Sequence, residues 1–541
     1  MALACGALLI YVVGRGTTFF YDEWNFILER RTGGLDAFFR PHGGHWSTIP
    51  VAVYRVLFAV VGLRHYGVYR AVLIAFHLAC CILFYLVARR RIGELLALLP
   101  TILLIFLGSA WQDILWPFQI GYLGSIGAGL ASLLALDARS RRGDLLAAIA
   151  LLVSMASSGL GIPFALAALV EVLLLRAWRR LWVAVVPLAC FGIWYLTYGR
   201  GASGAAISNL GHLPSYVMRS ALAAAAGIAG ATGRWQNLVG LAGLALVAVA
   251  LIAGRRLTPR LLMLLSIPLV FWGLAALTRA QIDEPAASRY LYPGAIFLLL
   301  IAVEVLSSFR LPVWSLAVGI LLLPAIAANI HLLQNGAQGL IAVSTSVRAE
   351  LGAVEIARGF IPRDLRPDPA FMPQVTVGPY LDAVDALGSP ADPPRVIGQQ
   401  PDSVRLAVDA LLVRGERLQL SSYGTPGAPA PVTVYRSDGA SVSAVGDCEL
   451  ASAPASGTAI EVVPRPGWLR IEAAGAVALI YLRRFADEFP DPPLGMVAPE
   501  SPASLGPGQI RWIALPADGA GNPWTVEIFT RGAVTLCAFG P

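Results

Sequence analysis

Long apolar blocks fill the chain from residue 2 to about residue 333, and no other feature limits its fold as strongly. A helix needs about 20 apolar residues to cross a bilayer core, because each residue rises about 1.5 Å. Blocks of this kind lie at 2–20, 66–88, 94–110, 118–136, 145–157, 162–176, 181–198, 236–253, 261–277, 290–308 and 312–333. With 57% hydrophobic and 13% charged residues, the chain is predicted to be a polytopic α-helical membrane bundle. We expect about eleven transmembrane helices.

The arginine residues indicate which loops face the cytoplasm. They gather in alternate loops, at 89–91, 139–142, 176–180, 255–260 and 310. Because cytoplasmic loops are enriched in basic residues, this alternation predicts a cytoplasmic N-terminus and an extracytoplasmic C-terminal part. The net charge of +7 thus orients the protein in the membrane and indicates no nucleic-acid partner. All 40 basic residues are Arg, a bias typical of GC-rich genomes, so the predicted location is a bacterial plasma membrane.

One apolar segment departs from this pattern. Residues 48–63 are apolar but carry Pro50 near the start and Arg55 at the centre. Such a segment suits the membrane interface better than the hydrocarbon core, so it is predicted to be an interfacial helix within an external first loop, 21–65.

The composition changes near residue 340, which predicts two domains. Residues 1–340 would form the transmembrane domain, and residues 341–541 an extracytoplasmic domain. The second domain begins with short helices and continues with short strands between Gly and Pro turns, which predicts a β-sandwich or jelly roll. Its two cysteines, Cys448 and Cys537, either form a disulfide outside the cytoplasm or remain free thiols.

An acidic pair, Asp22 and Glu23, follows the first apolar block directly. Carboxylates cost several kcal/mol in hydrocarbon, so this pair must face water or a polar cavity at the rim of the membrane. One interpretation is catalytic. The other is that any loop leaving a membrane begins with charged residues.

A long first loop that opens with an acidic pair, on a bundle with an external far end, resembles the GT-C superfamily of membrane glycosyltransferases. Residues 1–340 carry the resemblance, which implies a polyprenyl-phosphate sugar donor and a catalytic acid in the first loop. Asp22 is the matching general base, and Glu23 is the alternative. The motif Ser-Arg-Tyr-Leu-Tyr-Pro at 288–293 matches a late motif of the family and implies that Arg289 binds the donor phosphate. Asp113 matches an acid of the second external loop.

The chemistry explains these residue types. The leaving phosphate is already anionic, so no strong general acid is required. One carboxylate is enough, and it accepts the proton of the attacking hydroxyl. Arginine suits the phosphate because its planar fork binds two oxygens. Further candidates for phosphate contacts are His45, Arg40 and Arg279, and candidates for sugar or acceptor contacts are Trp24, Trp46, Trp111 and Tyr290. The alternative for each Trp is the aromatic belt of a membrane protein.

No cofactor is expected, although His42 and His45 beside a Gly-Gly turn would suit a divalent cation. The resemblance implies transfer of a sugar, such as mannose or arabinose, to a polysaccharide, glycolipid or protein of the cell envelope, with inversion at the anomeric carbon. Two other functions fit a membrane bundle: a transporter or flippase of a lipid-linked precursor, and a non-catalytic envelope-assembly protein.

Overall fold

A computed structural model describes the chain at residues 1–201, 204, 206–254, 257–281, 284–309, 319–320, 322–437, 439–487, 503–518 and 521–541. The chain forms two compact units. The first contains Met1–Thr17 and Asn25–Ile341, and the second contains Thr18–Trp24 and Ala342–Pro541. The short stretch that carries Asp22 and Glu23 therefore belongs to the same unit as the C-terminal part of the chain.

Helices make up the first unit and begin the globular part of the second. In chain order the α-helices are α1 (Ala2–Val13), α2 (Glu23–Asn25), α3 (Asp36–Phe39), α4 (Thr48–Val61), α5 (Tyr66–Ile92), α6 (Glu94–Ile105), α7 (Trp111–Leu115), α8 (Ile120–Asp137), α9 (Arg141–Ser157), α10 (Gly161–Leu174), α11 (Trp182–Trp194), α12 (Leu213–Ile228), α13 (Gln236–Gly254), α14 (Pro259–Arg279), α15 (Ser288–Leu306), α16 (Leu323–Ile356), α17 (Val377–Leu387), α18 (Pro394–Ile397) and α19 (Asp402–Gly415).

The predicted membrane bundle is confirmed. Within the described ranges, seven helical segments are long and apolar enough to cross a bilayer: Tyr66–Ile92, Glu94–Leu115, Pro117–Asp137, Trp178–Gly199, Gly233–Gly254, Pro259–Arg279 and Ser288–Leu306. Shorter apolar helices occupy Ala2–Val13, Thr48–Val61 and Gly161–Leu174. The chain is thus a multi-pass membrane protein. Part of the predicted span at 312–333 lies outside the described residues.

The first helix is shorter than the predicted span at 2–20, since it ends at Val13. The reason is the turn that follows. Gly16 has a φ of +96°, in the region that favours glycine, and the Thr17 hydroxyl donates a hydrogen bond to the Gly14 carbonyl at 2.9 Å. Both features replace helical hydrogen bonds and end the helix.

Small residues allow close contacts between helices of the first unit. A Cβ atom on Gly129 of α8 would come within 2.4 Å of the Phe164 ring on α10. Ser125 of α8 and Ser154 of α9 join their hydroxyl groups at 3.0 Å. Contacts of this kind hold membrane helices together, because the hydrophobic effect does not drive apolar side chains together within lipid.

Paired charges tie the helices together where the Arg-rich loops begin. Asp137 at the end of α8 binds Arg91 of α5 at 3.1 Å and Arg260 of α14 at 3.4 Å. Arg260 also lies 3.7 Å from Glu171 of α10. Each of these charges therefore has a partner, as burial in a low-dielectric region requires.

The second unit ends in two antiparallel sheets, in agreement with the predicted β-rich domain. One sheet has the order β3-β4-β11-β6-β9 with β1 beside β11, and the other has the order β2-β5-β10-β7-β8. The strands are β1 (Pro429–Ala430), β2 (Val434–Ser437), β3 (Ser441–Val445), β4 (Cys448–Ser452), β5 (Thr458–Val462), β6 (Gly467–Ala474), β7 (Ala478–Arg483), β8 (Ala503–Leu505), β9 (Ile510–Leu515), β10 (Thr525–Thr530) and β11 (Ala533–Phe539).

Alternating burial along the strands explains this arrangement. Leu469, Ile471 and Ala473 of β6 are fully buried, while the residues between them are partly exposed. The same period of two in β10 buries Val526 and Ile528. Each sheet thus turns one apolar face inward. A disulfide joins Cys448 of β4 to Cys537 of the neighbouring β11.

Candidate active site

A cavity of about 700 Å³ lies in the first unit, where α7, α15 and α16 meet. Its size is typical of pockets for small molecules and cofactors. Trp111 and Arg289, two residues singled out in the sequence, both line it. Its other polar lining comes from Ser109, Gln112, Thr232, Gln236, Glu284, Ser288 and Asn335.

Hydrogen bonds join the start of α7 and the residues just before it to the first turn of α15. The Gln112 amide donates to the Ser288 hydroxyl at 3.2 Å, and the Arg289 amide donates to the Gln112 side-chain oxygen at 3.2 Å. The Ser288 hydroxyl in turn donates to the Ser109 carbonyl at 2.9 Å. These bonds satisfy amides at the start of a helix, which have no partners within it. They also fix Arg289 close to the residues that follow Gln112.

Asp113 is fully buried in α7. In the part of the chain that is described, neither of its carboxylate oxygens makes a hydrogen bond. The positive charge of Arg289 acts on this carboxyl group. A buried carboxylate without hydrogen bonds is costly, and the Arg289 charge offsets part of that cost.

Trp111 lies directly against α16. A Cβ atom on Gly336 would come within 2.3 Å of the indole ring, so this close approach requires glycine. The indole therefore packs tightly on one side and forms part of the cavity wall on another.

Tyr290 lies beneath Arg289. Its ring is buried, and the Arg289 guanidinium carbon is 5.5 Å from the ring centroid, within the range of a cation–π contact. Tyr290 thus supports Arg289 and has little surface of its own for a sugar.

A tight turn brings His42 and His45 together. The two residues exchange backbone hydrogen bonds of 3.0 and 2.9 Å, and Gly43 and Gly44 between them have φ of +54° and +83°. Two positive φ values define a type I′ turn, for which Gly-Gly is well suited. Arg279, another predicted phosphate ligand, donates a hydrogen bond of 2.9 Å to the Gly43 carbonyl.

Burial, together with the nearby Arg279 and His42, lowers the pKa of His45 to about 4. His45 is therefore neutral at neutral pH. Any contact with a phosphate would use an N–H group of an uncharged ring, not the positive charge that a protonated histidine carries.

Tyr122 interacts both with the residues around Arg289 and with the turn that carries His42 and His45. Its ring meets His45 edge-on at 6.3 Å, and its phenol interacts electrostatically with Arg289, Asp113 and Arg279. Sequence reasoning missed Tyr122. The available signal was its position in the first turn of α8, directly after the predicted second external loop. The first unit thus brings Asp113, Arg279, Arg289 and His45 into one neighbourhood.

Two predicted residues lie elsewhere in the first unit. Arg40 forms a partly exposed ion pair of 3.0 Å with Asp36, four residues earlier. Trp46 is buried and stacks on Trp194, with 5.5 Å between ring centroids and 6° between planes. This burial argues against a sugar platform at Trp46 and indicates a packing role.

The acidic pair lies in the second unit, and its two carboxylates differ. Glu23 is fully buried and accepts a hydrogen bond of 3.0 Å from the Phe20 amide. Asp22 is partly exposed. Tyr21 before it has a φ of +47°, a strained conformation for a bulky residue and one that clusters at functional sites. Asp22 is therefore the more accessible acid.

Trp24 is also fully buried, 5.8 Å from the Tyr380 ring. It has no open face in the second unit, which argues against its predicted contact with sugar. Among the described residues, His, Cys, Asp and Glu form no group of three that would hold a metal ion.

Neither a protein-family model nor a curated protein sequence matches this chain. The solved structures that are similar to this chain include two of ArnT. One is the crystal structure of ArnT from Cupriavidus metallidurans in the apo state, which is 16% identical to this chain. The match covers 67% of this chain and 80% of the ArnT chain, with a TM-score of 0.44. The crystal structure of the same protein bound to undecaprenyl phosphate is also 16% identical, and that match covers 67% of this chain and 81% of the ArnT chain, with a TM-score of 0.43.

Proposed function

We propose that this protein is a membrane glycosyltransferase that moves a sugar from a polyprenyl phosphate to an extracytoplasmic acceptor of the cell envelope. One observation carries the proposal: Arg289 and Trp111 line the same cavity of about 700 Å³, beside the buried carboxyl group of Asp113. A cation suits the phosphate of a sugar phosphate, and an aromatic wall suits its sugar ring.

Arg289 would hold the departing phosphate. Its guanidinium offers a planar fork to two phosphate oxygens, and its position in the first turn of α15 adds the positive end of a helix dipole. Both favour an anion more strongly as negative charge develops on the leaving oxygen. Trp111 would stack against the sugar ring, and Arg279 and His45 are further candidates for contacts with phosphate or hydroxyl groups.

Asp22 is the proposed general base. The acceptor oxygen would form a bond to the anomeric carbon as the bond from that carbon to the phosphate oxygen breaks. The hydroxyl proton would pass to the carboxylate, and polyprenyl phosphate would leave as an anion. A single displacement of this kind inverts the anomeric carbon. Glu23 remains the alternative base, although its carboxylate already binds the Phe20 amide.

The proposed location is the bacterial plasma membrane, with the N-terminus in the cytoplasm and the second unit outside. This orientation rests on the alternation of Arg-rich loops. The proposed acceptor is a polysaccharide, glycolipid or protein of the envelope. No cofactor is proposed for the reaction.

The test is sugar transfer by the purified full chain in lipid nanodiscs, with a panel of radiolabelled polyprenyl-phosphate sugars and envelope glycans as acceptors. We expect transfer from at least one donor, and loss of about 100-fold or more in Asp22→Asn, the range for removing a general base. Glu23→Gln keeps an oxygen for the Phe20 amide and should retain most activity. Glu29→Gln, at an exposed acid of the same loop, is the matched control.

Three results would contradict the proposal. If Asp22→Asn, Glu23→Gln and wild type transfer sugar equally, neither acid is the base. If Arg289→Gln binds and uses the donor as well as wild type, the cavity does not hold its phosphate. If the chain moves a labelled lipid across a vesicle membrane without any sugar transfer, the flippase alternative is correct.

A further inference from the structure

A second cavity, of about 480 Å³, lies in the second unit among the loops at the ends of β9 and β10. Its walls include Pro464, Pro466, Pro516 and Trp524, and its polar lining includes Arg484 and Asp518. The proposed transfer reaction uses none of these residues.

An ion pair forms the polar part of this cavity. Arg484 binds Asp518 through two hydrogen bonds, one of them 2.7 Å long, and both side chains are less than 5% exposed. Because the pair is neutral overall, it provides hydrogen-bonding atoms without favouring a charged ligand.

The position of Arg484 is fixed from two sides. Its Nε atom donates a hydrogen bond of 2.8 Å to the Asn522 carbonyl. Its backbone amide, with those of Phe485 and Ala486, donates to the Asp409 carboxylate of α19 at 2.9 to 3.1 Å. The cavity is therefore built on a rigid turn, which lowers the entropy cost of binding a ligand there.

Further buried polar groups lie beside the ion pair. Trp524 is 4% exposed and lines the cavity. The carboxyl group of Glu416 is buried and interacts with Asp518 and with the N–H group of Trp524. Burial, and the neighbouring Asp518 carboxylate, raise the pKa of Glu416 to about 8, so at neutral pH most of it carries a proton.

We propose that this cavity binds a neutral sugar residue of a glycan chain. Proline rings and the Trp524 indole offer apolar surfaces that suit the C–H faces of a sugar ring, as aromatic side chains suit amphipathic ligands. Arg484 and Asp518 offer donors and acceptors to hydroxyl groups. An anionic sugar would meet the Asp518 carboxylate, and the single guanidinium of the cavity is already paired, so charge disfavours an anionic ligand.

Binding at this cavity does not depend on the transfer reaction, because it would occur without any donor. If the chain is a glycosyltransferase, the cavity would hold part of the acceptor glycan. If the chain transfers no sugar, binding at this cavity remains a separate property of the second unit and is measured in the same way.

The test is calorimetric titration of the full chain in nanodiscs, without donor, against neutral mannan, arabinan and glucan oligosaccharides and against an oligogalacturonate as the anionic comparison. Ala517→Trp fills the cavity from its exposed rim without altering the ion pair. Ala455→Trp, at an exposed turn outside the cavity, is the matched control. Thermal unfolding of both variants checks that each is folded.

We expect a neutral oligosaccharide to bind, with affinity about tenfold or more lower in Ala517→Trp and unchanged in Ala455→Trp. Trp524→Phe, which keeps an aromatic ring but offers a smaller face, should bind with intermediate affinity. Absence of binding to every neutral oligosaccharide would overturn the proposal. Equal affinities in the two Trp variants, or a preference for oligogalacturonate, would overturn it as well.

Discussion

The backbone amide of Arg289 donates a hydrogen bond to the side-chain oxygen of Gln112 over 3.2 Å. The Gln112 amide donates in the opposite direction, to the Ser288 hydroxyl at 3.2 Å. The two elements that carry Trp111 and Arg289 are thus held by a reciprocal pair of bonds. Gln112 therefore helps to fix the separation between Trp111 and Arg289.

Gln112→Ala should therefore weaken sugar transfer by misplacing Arg289. Losing the side-chain acceptor removes about 0.5–1.5 kcal/mol of stability. We expect the KM for the polyprenyl-phosphate donor to rise about tenfold, since a small misplacement in a phosphate site is costly. Steady-state kinetics over a range of donor concentrations measures this KM. Gln338→Ala, at an exposed position on α16, is the control, and equal KM values in both variants would contradict the positioning role.

Gly336→Ala should disrupt the wall of the cavity. The new Cβ atom would lie within 2.3 Å of the Trp111 ring, so α16 or the indole must move. Overpacking of this kind costs about 1–3 kcal/mol, and we expect a lower melting temperature together with slower transfer.

Gly339→Ala provides a matched comparison, because Gly339 also lines the cavity but has open space where a Cβ atom would stand, with no atom within 4 Å. Alanine there should stabilise the helix by up to about 1 kcal/mol. Thermal unfolding of the two variants in the same detergent separates the effects. A Gly336→Ala protein as stable as Gly339→Ala would show that Trp111 moves away freely.

The helical half of the chain is the part that its sequence predicts best. Membrane-length helices need only a continuous apolar run, and runs such as 66–88 are visible without any knowledge of tertiary contacts. The bounds of α1 are harder to predict, because a turn at Gly14 to Thr17 ends the helix inside an apolar run.

Contacts between distant parts of the chain are beyond the reach of sequence patterns. The Thr18 amide binds the Ser344 hydroxyl at 3.0 Å across 326 residues, and Trp24 meets Tyr380. These contacts join the stretch 18–24 to the rest of the second unit, and no local sequence pattern encodes them. Likewise β3 is hard to predict, because all five of its residues are exposed and burial therefore imposes no pattern on them.

Within the candidate site, residue type alone identifies Arg289, Trp111 and Asp113 but not the residues that position them. Gln112 and Tyr122 act through hydrogen bonds and ring contacts that depend on how α7, α8 and α15 meet. For Trp24 and Trp46 the residue type leaves two roles open. A tryptophan near a loop is equally suited to a ligand platform and to a core, and only burial distinguishes them.

Removing the disulfide should destabilise the second unit. Cys448 and Cys537 are 89 residues apart in sequence, and a cross-link over a loop of this length contributes about 2–4 kcal/mol. The double variant Cys448→Ser with Cys537→Ser should melt at a lower temperature than wild type in oxidising buffer. Dithiothreitol should lower the melting temperature of wild type but not of the double variant. Cys5→Ser, at an exposed free cysteine, is the control, and a double variant as stable as this control would contradict the prediction.

The stability of the second unit should fall as pH rises, and Glu416 should be one cause. Burial and Asp518 raise the pKa of Glu416 from 4.5 to about 8, so between these values the folded chain holds a proton that the unfolded chain has released. The folded state then binds more protons, and stability decreases as pH rises through this window.

Glu416→Gln keeps the shape of the protonated side chain and cannot ionise, so it should remove this part of the pH dependence. We expect the melting temperature of wild type to fall relative to Glu416→Gln between pH 5 and about 8, and the two to converge toward pH 4.5. Glu449→Gln, at a carboxylate on β4, controls for the loss of a negative charge. Parallel melting curves for wild type and Glu416→Gln across this range would mean that Glu416 is ionised in the folded protein, and that the cavity beside it is more open to water than its burial indicates.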